Sequence, residues 1–251
     1  MKILVTFALE TEFAPWRRLC GFERVPSKQG EMFASRIGDA DVRVALTGAG
    51  HAAAKRASGR IFDDPPGVCV VSGLAGALSA NYRPGDILVA RKVSLATGYR
   101  AIESDDALLN AAADLGAEIA GRLVTSEQVV STAGEKRRLA SSGDAVDMES
   151  ALIMETAARR GVRSVAIRAI SDGADANLPF DFDKVFTEDG RVGKARLVAQ
   201  LARRPRQLPA LLRLARDSRE AAESLAGFLH SYVRAVAHIP AESAKAGALV
   251  L

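Results

Sequence analysis

Short runs of strand character, several of them apolar at consecutive positions, constrain this chain more than any other feature. They fall at residues 2–7, 42–47, 68–72, 86–90, 121–124 and 164–170. Consecutive rather than alternating apolar residues predict strands covered on both faces. Between them lie Ala- and Leu-rich stretches with helical spacing, at 51–62, 105–115 and 149–160. Alternation of this kind predicts a three-layer α/β/α domain with helices on both faces of a central sheet. Pro65-Pro66-Gly67 and Pro84-Gly85-Asp86 punctuate turns ahead of strands. With no internal repeat and no low-complexity linker, a single domain over residues 1–251 is expected, carrying a basic helical insertion at about 203–219.

Composition removes several function classes. The excess of basic over acidic residues is only four and both signs are dispersed, a weak case for nucleic acid. Aromatic residues make up 5%, too few for base-stacking platforms. Cys20 and Cys69 form no C-x-x-C pair, which suits a reduced compartment. His51, His230 and His238 lie too far apart in sequence to suggest a metal cluster. The start, Met1 to Glu10, reads as a strand rather than a signal peptide, and the stretch 68–80 is too short and too broken to span a bilayer. A cytoplasmic protein without metal or organic cofactor is expected.

The chemistry-bearing residues concentrate at 144–175. Asp147-Met148-Glu149 opens an Ala-rich helix, and the strand after it ends in Ser171-Asp172, so helix and strand carry Glu149 and Asp172 to one sheet edge. Near the first strand, Glu10 and Glu12 begin a helix, where a carboxylate favours the dipole with or without a ligand. Thr47-Gly48-Ala49-Gly50 joins a strand to a helix and offers backbone N–H groups to an anion, without being a Walker loop. Ser72-Gly73-Leu74-Ala75-Gly76-Ala77 follows a strand, and its small residues would let a flat ligand approach the backbone. No G-x-S-x-G elbow and no Ser-His-Asp set are evident.

In order, these segments resemble the nucleoside phosphorylase and nucleosidase superfamily, closest in pattern to methylthioadenosine/S-adenosylhomocysteine nucleosidases. The likeness runs from Lys2 to about Phe186 and includes Arg83-Pro84-Gly85-Asp86-Ile87 and Arg168-Ala169-Ile170-Ser171-Asp172. It implies a central mixed sheet partly closed into a barrel, and cleavage of an N-glycosidic bond through a ribooxocarbenium-like transition state. By that resemblance Asp172 protonates the purine N7, Glu149 binds ribose hydroxyls and Glu12 holds and deprotonates the attacking water. Met148 lies under the sugar, while Ser171 and the backbone of Ala75 and Gly76 orient Asp172 and the base. A homodimer is also implied.

Phosphorolysis needs cationic groups where the nucleophile sits. The segment after the first strand offers Glu10 and Glu12 instead, with Arg17 and Arg18 further along, and residues 67–71 hold no basic residue. Hydrolysis is therefore expected, with phosphorolysis as the alternative if Arg43 or a partner subunit's arginine supplies the charge. Val129 stands where the nucleosidases stack a phenylalanine on the base, a loss that Phe180 or Phe182 could offset.

The tail is distinctive. Arg203-Arg204-Pro205-Arg206-Gln207-Leu208-Pro209 breaks one helix and starts another, in which Leu211, Leu212 and Leu214 stand among Arg213, Arg216 and Arg219. A terminal helix with a solvated basic face is the plain reading; a basic amphipathic hairpin meeting a membrane surface or a lipid-like substrate is the sharper one. This segment resembles part of the hopanoid-associated phosphorylase-like proteins, which implies an adenosylated lipid such as adenosylhopane as an alternative substrate.

Overall fold

The computed structural model describes residues 1–98, 100–180, 182–187, 189–240 and, for the backbone, 249–250. In chain order the elements are β1 (Lys2–Phe7), α1 (Glu10–Cys20), β2 (Glu23–Val25), β3 (Glu31–Ile37), β4 (Ala40–Leu46), α2 (His51–Ile61) and β5 (Val68–Ala77). Then come β6 (Ile87–Leu95), β7 (Ala101–Glu103), α3 (Asp106–Asp114), β8 (Glu118–Thr125), α4 (Ala133–Leu139), β9 (Ala145–Asp147) and α5 (Ser150–Arg159). β10 (Arg163–Asp172), α6 (Lys194–Arg203), α7 (Leu208–Val236) and β11 (Leu249–Val250) complete the chain.

One mixed sheet organises the molecule, with helices packed on it. β5 pairs along one edge with β10, and along the other with β1 at its start and β9 at its end. β10 continues to β6, β6 to β8 and β8 to β9, so β5-β10-β6-β8-β9 closes into a small barrel. β1, β4, β3 and β2 extend from it as an open wing. The expected partly closed sheet is therefore present, and its closure gathers the ends of β5, β9 and β10 at one mouth. There Gly76 lies opposite both Val146 and Asp172, and β10 shifts register between Ile170 and Asp172.

Two apolar clusters hold this frame. On one side the aromatic group Phe7, Phe13, Trp16, Phe22 and Phe33 meets Leu225, Leu229, Tyr232 and Val233 from the buried half of α7. Tyr232 also donates its hydroxyl proton to the Leu108 carbonyl at 2.9 Å, pinning α7 to α3. The other cluster joins Ile153, Met154 and Ala157 of α5 to the strands of the barrel. Near-continuous apolar strands were legible because both faces are covered.

Three local outcomes differ from the sequence expectation. The small-residue run after Ser72 does not leave the sheet; β5 continues as a strand to Ala77. The meander of β2 and β3 and the short β7 and β9 lack apolar runs of the kind that marked the other strands. Finally, the segment 208–219 is not separate from the last helix: α7 is one 29-residue helix, with Pro209 in its first turn, where a missing N–H does no harm.

Gly73 explains why the strand could be continued only with a special residue. It sits at φ +141°, and a Cβ there would overlap the Arg168 guanidinium and lie 3.0 Å from Glu12 Oε2. Gly73→Ala is expected to lower stability by about 2–4 kcal/mol through backbone strain and displacement of that buried ion group. Urea denaturation of the variant checks this, and a loss under about 1 kcal/mol would show that the strand accommodates a side chain.

Candidate active site

At the barrel mouth lies an open cleft of about 210 Å³. Glu12, Met148, Glu149, Ser171 and Asp172 line it, together with Ala75, Gly76 and Val129. Phe180, the first of the two rings weighed as a substitute for base stacking, is buried at 3% exposure and does not line the cleft. Phe182, which opens the short turn that follows, does line it, as does Phe186 beyond that turn. Aromatic contact is thus offered from a position two residues later than Phe180, beside the apolar Val129 and Val130.

The three carboxylates are held differently. Glu12 is in the first turn of α1, and its Oε2 accepts the N–H groups of Ala8 and Leu9 at 3.1 and 3.2 Å. Burial pushes its pKa up, and the Arg168 guanidinium pulls against that rise. Glu149 precedes α5, where its Oε1 accepts the Gly50 N–H at 2.8 Å and its Oε2 lies 3.8 Å from Arg168. Burial raises its pKa to about 7, with Arg168 opposing and Asp147 reinforcing the shift. Asp172 ends β10; its Oδ1 accepts the Ser171 hydroxyl at 2.6 Å, while its Oδ2 pairs with the Lys136 ammonium.

Arg168 and Lys136 were not singled out as site residues in the sequence reading. Arg168 is wholly buried in the middle of β10, donating to the Ser72 carbonyl and to Ser150 Oγ, each at 2.9 Å, and pairing with Asp147 at 2.6 Å. Asp147 in turn accepts from Thr125 Oγ1 at 2.7 Å and from the Ser150 N–H at 3.2 Å. A charge inside an otherwise apolar run was the available signal, since a buried ion persists only with partners. Lys136 carried no such signal: in Glu135-Lys136-Arg137-Arg138 it reads as part of a solvated charged face.

The glycine turn does something other than cradle an anion. Its N–H groups are spent inside the protein: Gly48 on the Ala8 carbonyl, Ala49 on Gly190 and Gly50 on Glu149. Arg43 lies outside the cleft, paired with Asp64 at 3.0 Å, and Arg17 pairs with Glu10. No lysine or arginine lines the cleft among the described residues. Nor do three His, Cys, Asp or Glu side chains come together as a metal site among the described residues.

This constellation can stabilise positive charge on one ligand atom, accept a proton at a second place and donate one at a third. The family model of the phosphorylase superfamily matches residues 2–203. The chain belongs to the phosphorylase superfamily. A curated member of similar sequence is the 5′-methylthioadenosine/S-adenosylhomocysteine nucleosidase of Exiguobacterium sp., 26% identical over 234 residues, or 82% of this chain and 100% of that one. Among solved structures, the native futalosine hydrolase of Helicobacter pylori superposes with a TM-score of 0.72 at 20% identity, covering 93% of this chain and 97% of its own. The 5′-methylthioadenosine/S-adenosylhomocysteine nucleosidase of Neisseria meningitidis in complex with methylthio-immucillin-A gives 0.70 at 21% identity, covering 93% and 98%. At such identities the superpositions establish the shared phosphorylase-superfamily fold. The matched region ends at Arg203, the last residue of α6, so α7 lies beyond it.

Because the folded state holds the Glu149 proton more tightly than its ordinary pKa of 4.5 would, this group adds stability that is full below about pH 4.5 and is lost as pH rises through about 7. Relative to Glu149→Gln, the wild-type protein is therefore expected to lose more than about 1 kcal/mol between pH 5 and pH 8. Denaturant midpoints of both proteins across that range test the sign; parallel curves would remove Glu149 as the group responsible.

Proposed function

We propose that this phosphorylase-superfamily protein hydrolyses the N-glycosidic bond of a purine nucleoside of adenosine type substituted at the 5′ position. The observation that carries the reading is the polarity of the cleft: carboxylates line it, no lysine or arginine does so among the described residues, and the glycine-turn N–H groups are already engaged. A phosphate dianion would meet Glu12 and Glu149 with no compensating donor set, whereas a neutral water suits them.

In this mechanism the purine leaves as positive charge builds on the ribose. Glu149, accepting from ribose hydroxyls, stabilises that charge most when it is largest, which is the condition for lowering the barrier. Glu12 takes the proton of the attacking water. Asp172, aimed by Ser171, directs a proton to the departing base, while Met148 packs under the sugar. Phe182 and Phe186 supply the ring contact that Val129 cannot.

Asp172→Asn is expected to lower kcat at least about a hundredfold on 5′-methylthioadenosine, with the fold intact by circular dichroism. Near wild-type turnover would remove Asp172 from the mechanism. The nucleophile is read in the same assay: base release independent of added phosphate, with free sugar as product, is the expected result, and sugar phosphate as product would establish phosphorolysis.

Phosphorolysis of a purine nucleoside, or of an adenosylated lipid such as adenosylhopane, is the second reading, and the charge distribution favours the lipid substrate. Between Gly190 and Arg216 the chain has eight basic side chains and no acid, leaving 26 basic against 30 acidic residues elsewhere, a net −4. Val198 at 65% exposure and Leu212 at 61% stand in that cationic segment, and Leu214 and Ser218 reach the cleft. Such a face suits an anionic bilayer surface. Co-sedimentation with phosphatidylglycerol-containing vesicles, but not with phosphatidylcholine alone, is expected and should weaken with salt. Recovery in the supernatant with both vesicles would reject membrane contact. A homodimer follows from the family resemblance, and the free thiols of Cys20 and Cys69 suit a cytoplasmic setting; no helix among the described residues is long and apolar enough to cross a membrane.

A further inference from the structure

Lys136 is the most unexpected side chain in the molecule. It lies on a short helix between Glu135 and two exposed arginines, yet its own side chain is 1% exposed. Burying an ammonium is costly unless it is paired, and a residue serving only solubility would turn outward. The helix is fastened in a way that fixes this orientation. Thr132 and Glu135 form a reciprocal capping box at its start. The Ala133 N–H donates to Asn177 Oδ1 at 2.9 Å, tying α4 to the loop that follows Asp172. Lys136 Nζ then donates to Asp172 Oδ2 and, at 2.6 Å, to the Gly173 carbonyl.

This arrangement bears on where the proton for the departing base resides. Asp172 accepts on both oxygens, from Ser171 Oγ and from Lys136 Nζ. An ammonium in contact with a carboxylate favours the ionic pair, so the side chain facing the ligand is an acceptor before the reaction begins. The acidic proton within reach is on the lysine.

We propose that the leaving-group acid is a Lys136–Asp172 dyad holding one transferable proton, with Lys136 as the positioning and proton-supplying residue behind Asp172. This rests on the nucleosidase reading of the cleft. As the C1′–N9 bond breaks, its electron pair passes into the purine; the ammonium proton moves onto the Asp172 carboxylate, and the carboxyl so formed delivers that one proton to N7. Lys136 is left neutral, Asp172 remains a carboxylate and the base departs neutral. Water adds its oxygen to C1′ and leaves one proton on Glu12, and exchange with solvent returns that proton and refills the dyad. The other charged groups along or beside the cleft are Glu12, Asp147, Glu149, Arg168 and, at the surface, Arg137 with Asp175. Of these, none makes a hydrogen bond to Asp172 among those the structure describes.

The test is a mutant cycle on the full-length protein with 5′-methylthioadenosine: Lys136→Met, Asp172→Asn and the double variant, each with a pH profile. Lys136→Met is expected to lower kcat at neutral pH by at least about thirtyfold, with KM changed less than about threefold. The alkaline limb of its kcat profile should move to lower pH by at least about two units, because the lysine's store of the proton is gone. The double variant should be no slower than Asp172→Asn alone, since both changes remove one function. A lysine that only shapes the site would lower activity without moving the limb, and its loss would multiply with that of Asp172; either result overturns the dyad. Should Lys136→Met fail to fold, Lys136→Arg keeps a cation that does not release its proton, and wild-type turnover in that variant overturns proton supply. Failure of the parent reading is distinguishable: Asp172→Asn would then be active, whereas failure of the dyad alone leaves Asp172→Asn impaired and Lys136→Met active.

Discussion

The site depends on one buried guanidinium. Arg168 sits inside the barrel wall, where a charge survives only if its surroundings supply partners, and they do so from separate elements: Ser72 of β5, Asp147 of β9 and Ser150 of α5. Removing one member of such a set leaves an uncompensated buried ion, a cost of about 3–5 kcal/mol. The same group moderates both Glu12 and Glu149, whose burial would otherwise drive them further toward the protonated form. Structure and chemistry are therefore coupled through a single side chain. Gly73 is the steric condition of that coupling, because only a residue without Cβ lets β5 run past Arg168 and Glu12.

The carboxylates then divide by environment rather than by residue type. Glu12 and Glu149 are buried and held by backbone N–H groups, with the Arg168 guanidinium shared between them; Asp172 is 12% exposed and in contact with an ammonium. The structure gives Asp172 a cationic neighbour, so a carboxylate lining the cleft and a buried ammonium behind it form one pair. The glycine turn undergoes a change of meaning: a motif legible as an anion cradle positions Glu149, and its N–H groups are not left for phosphate.

Much of the architecture was legible because strands covered on both faces must be apolar at consecutive positions. β1 was readable to the residue, and the starts or cores of β4, β5, β6, β8 and β10 likewise. β9 was not: three residues suffice there because barrel closure, not local propensity, recruits them. Lys136 was invisible for the same kind of reason. In a run of charges only the docking of α4 against the Asp172 loop decides which one faces inward. Phe180 and Phe182 are equally plausible in the sequence, and the short turn at 182–184 settles which ring meets the cleft.

By itself, then, the sequence determined that the chain builds an α/β domain with helices on both faces of a central sheet, that its acids gather at strand and helix ends, and that its tail is cationic. These follow from periodicity and charge, which are properties of neighbours along the chain. Tertiary structure alone decided which strands close the barrel, that Arg168 balances Asp147 and the two buried glutamates, and that Lys136 stands behind Asp172. Those are contacts between residues distant in sequence, set by packing and by the need of every buried charge for a partner, and no local pattern encodes them.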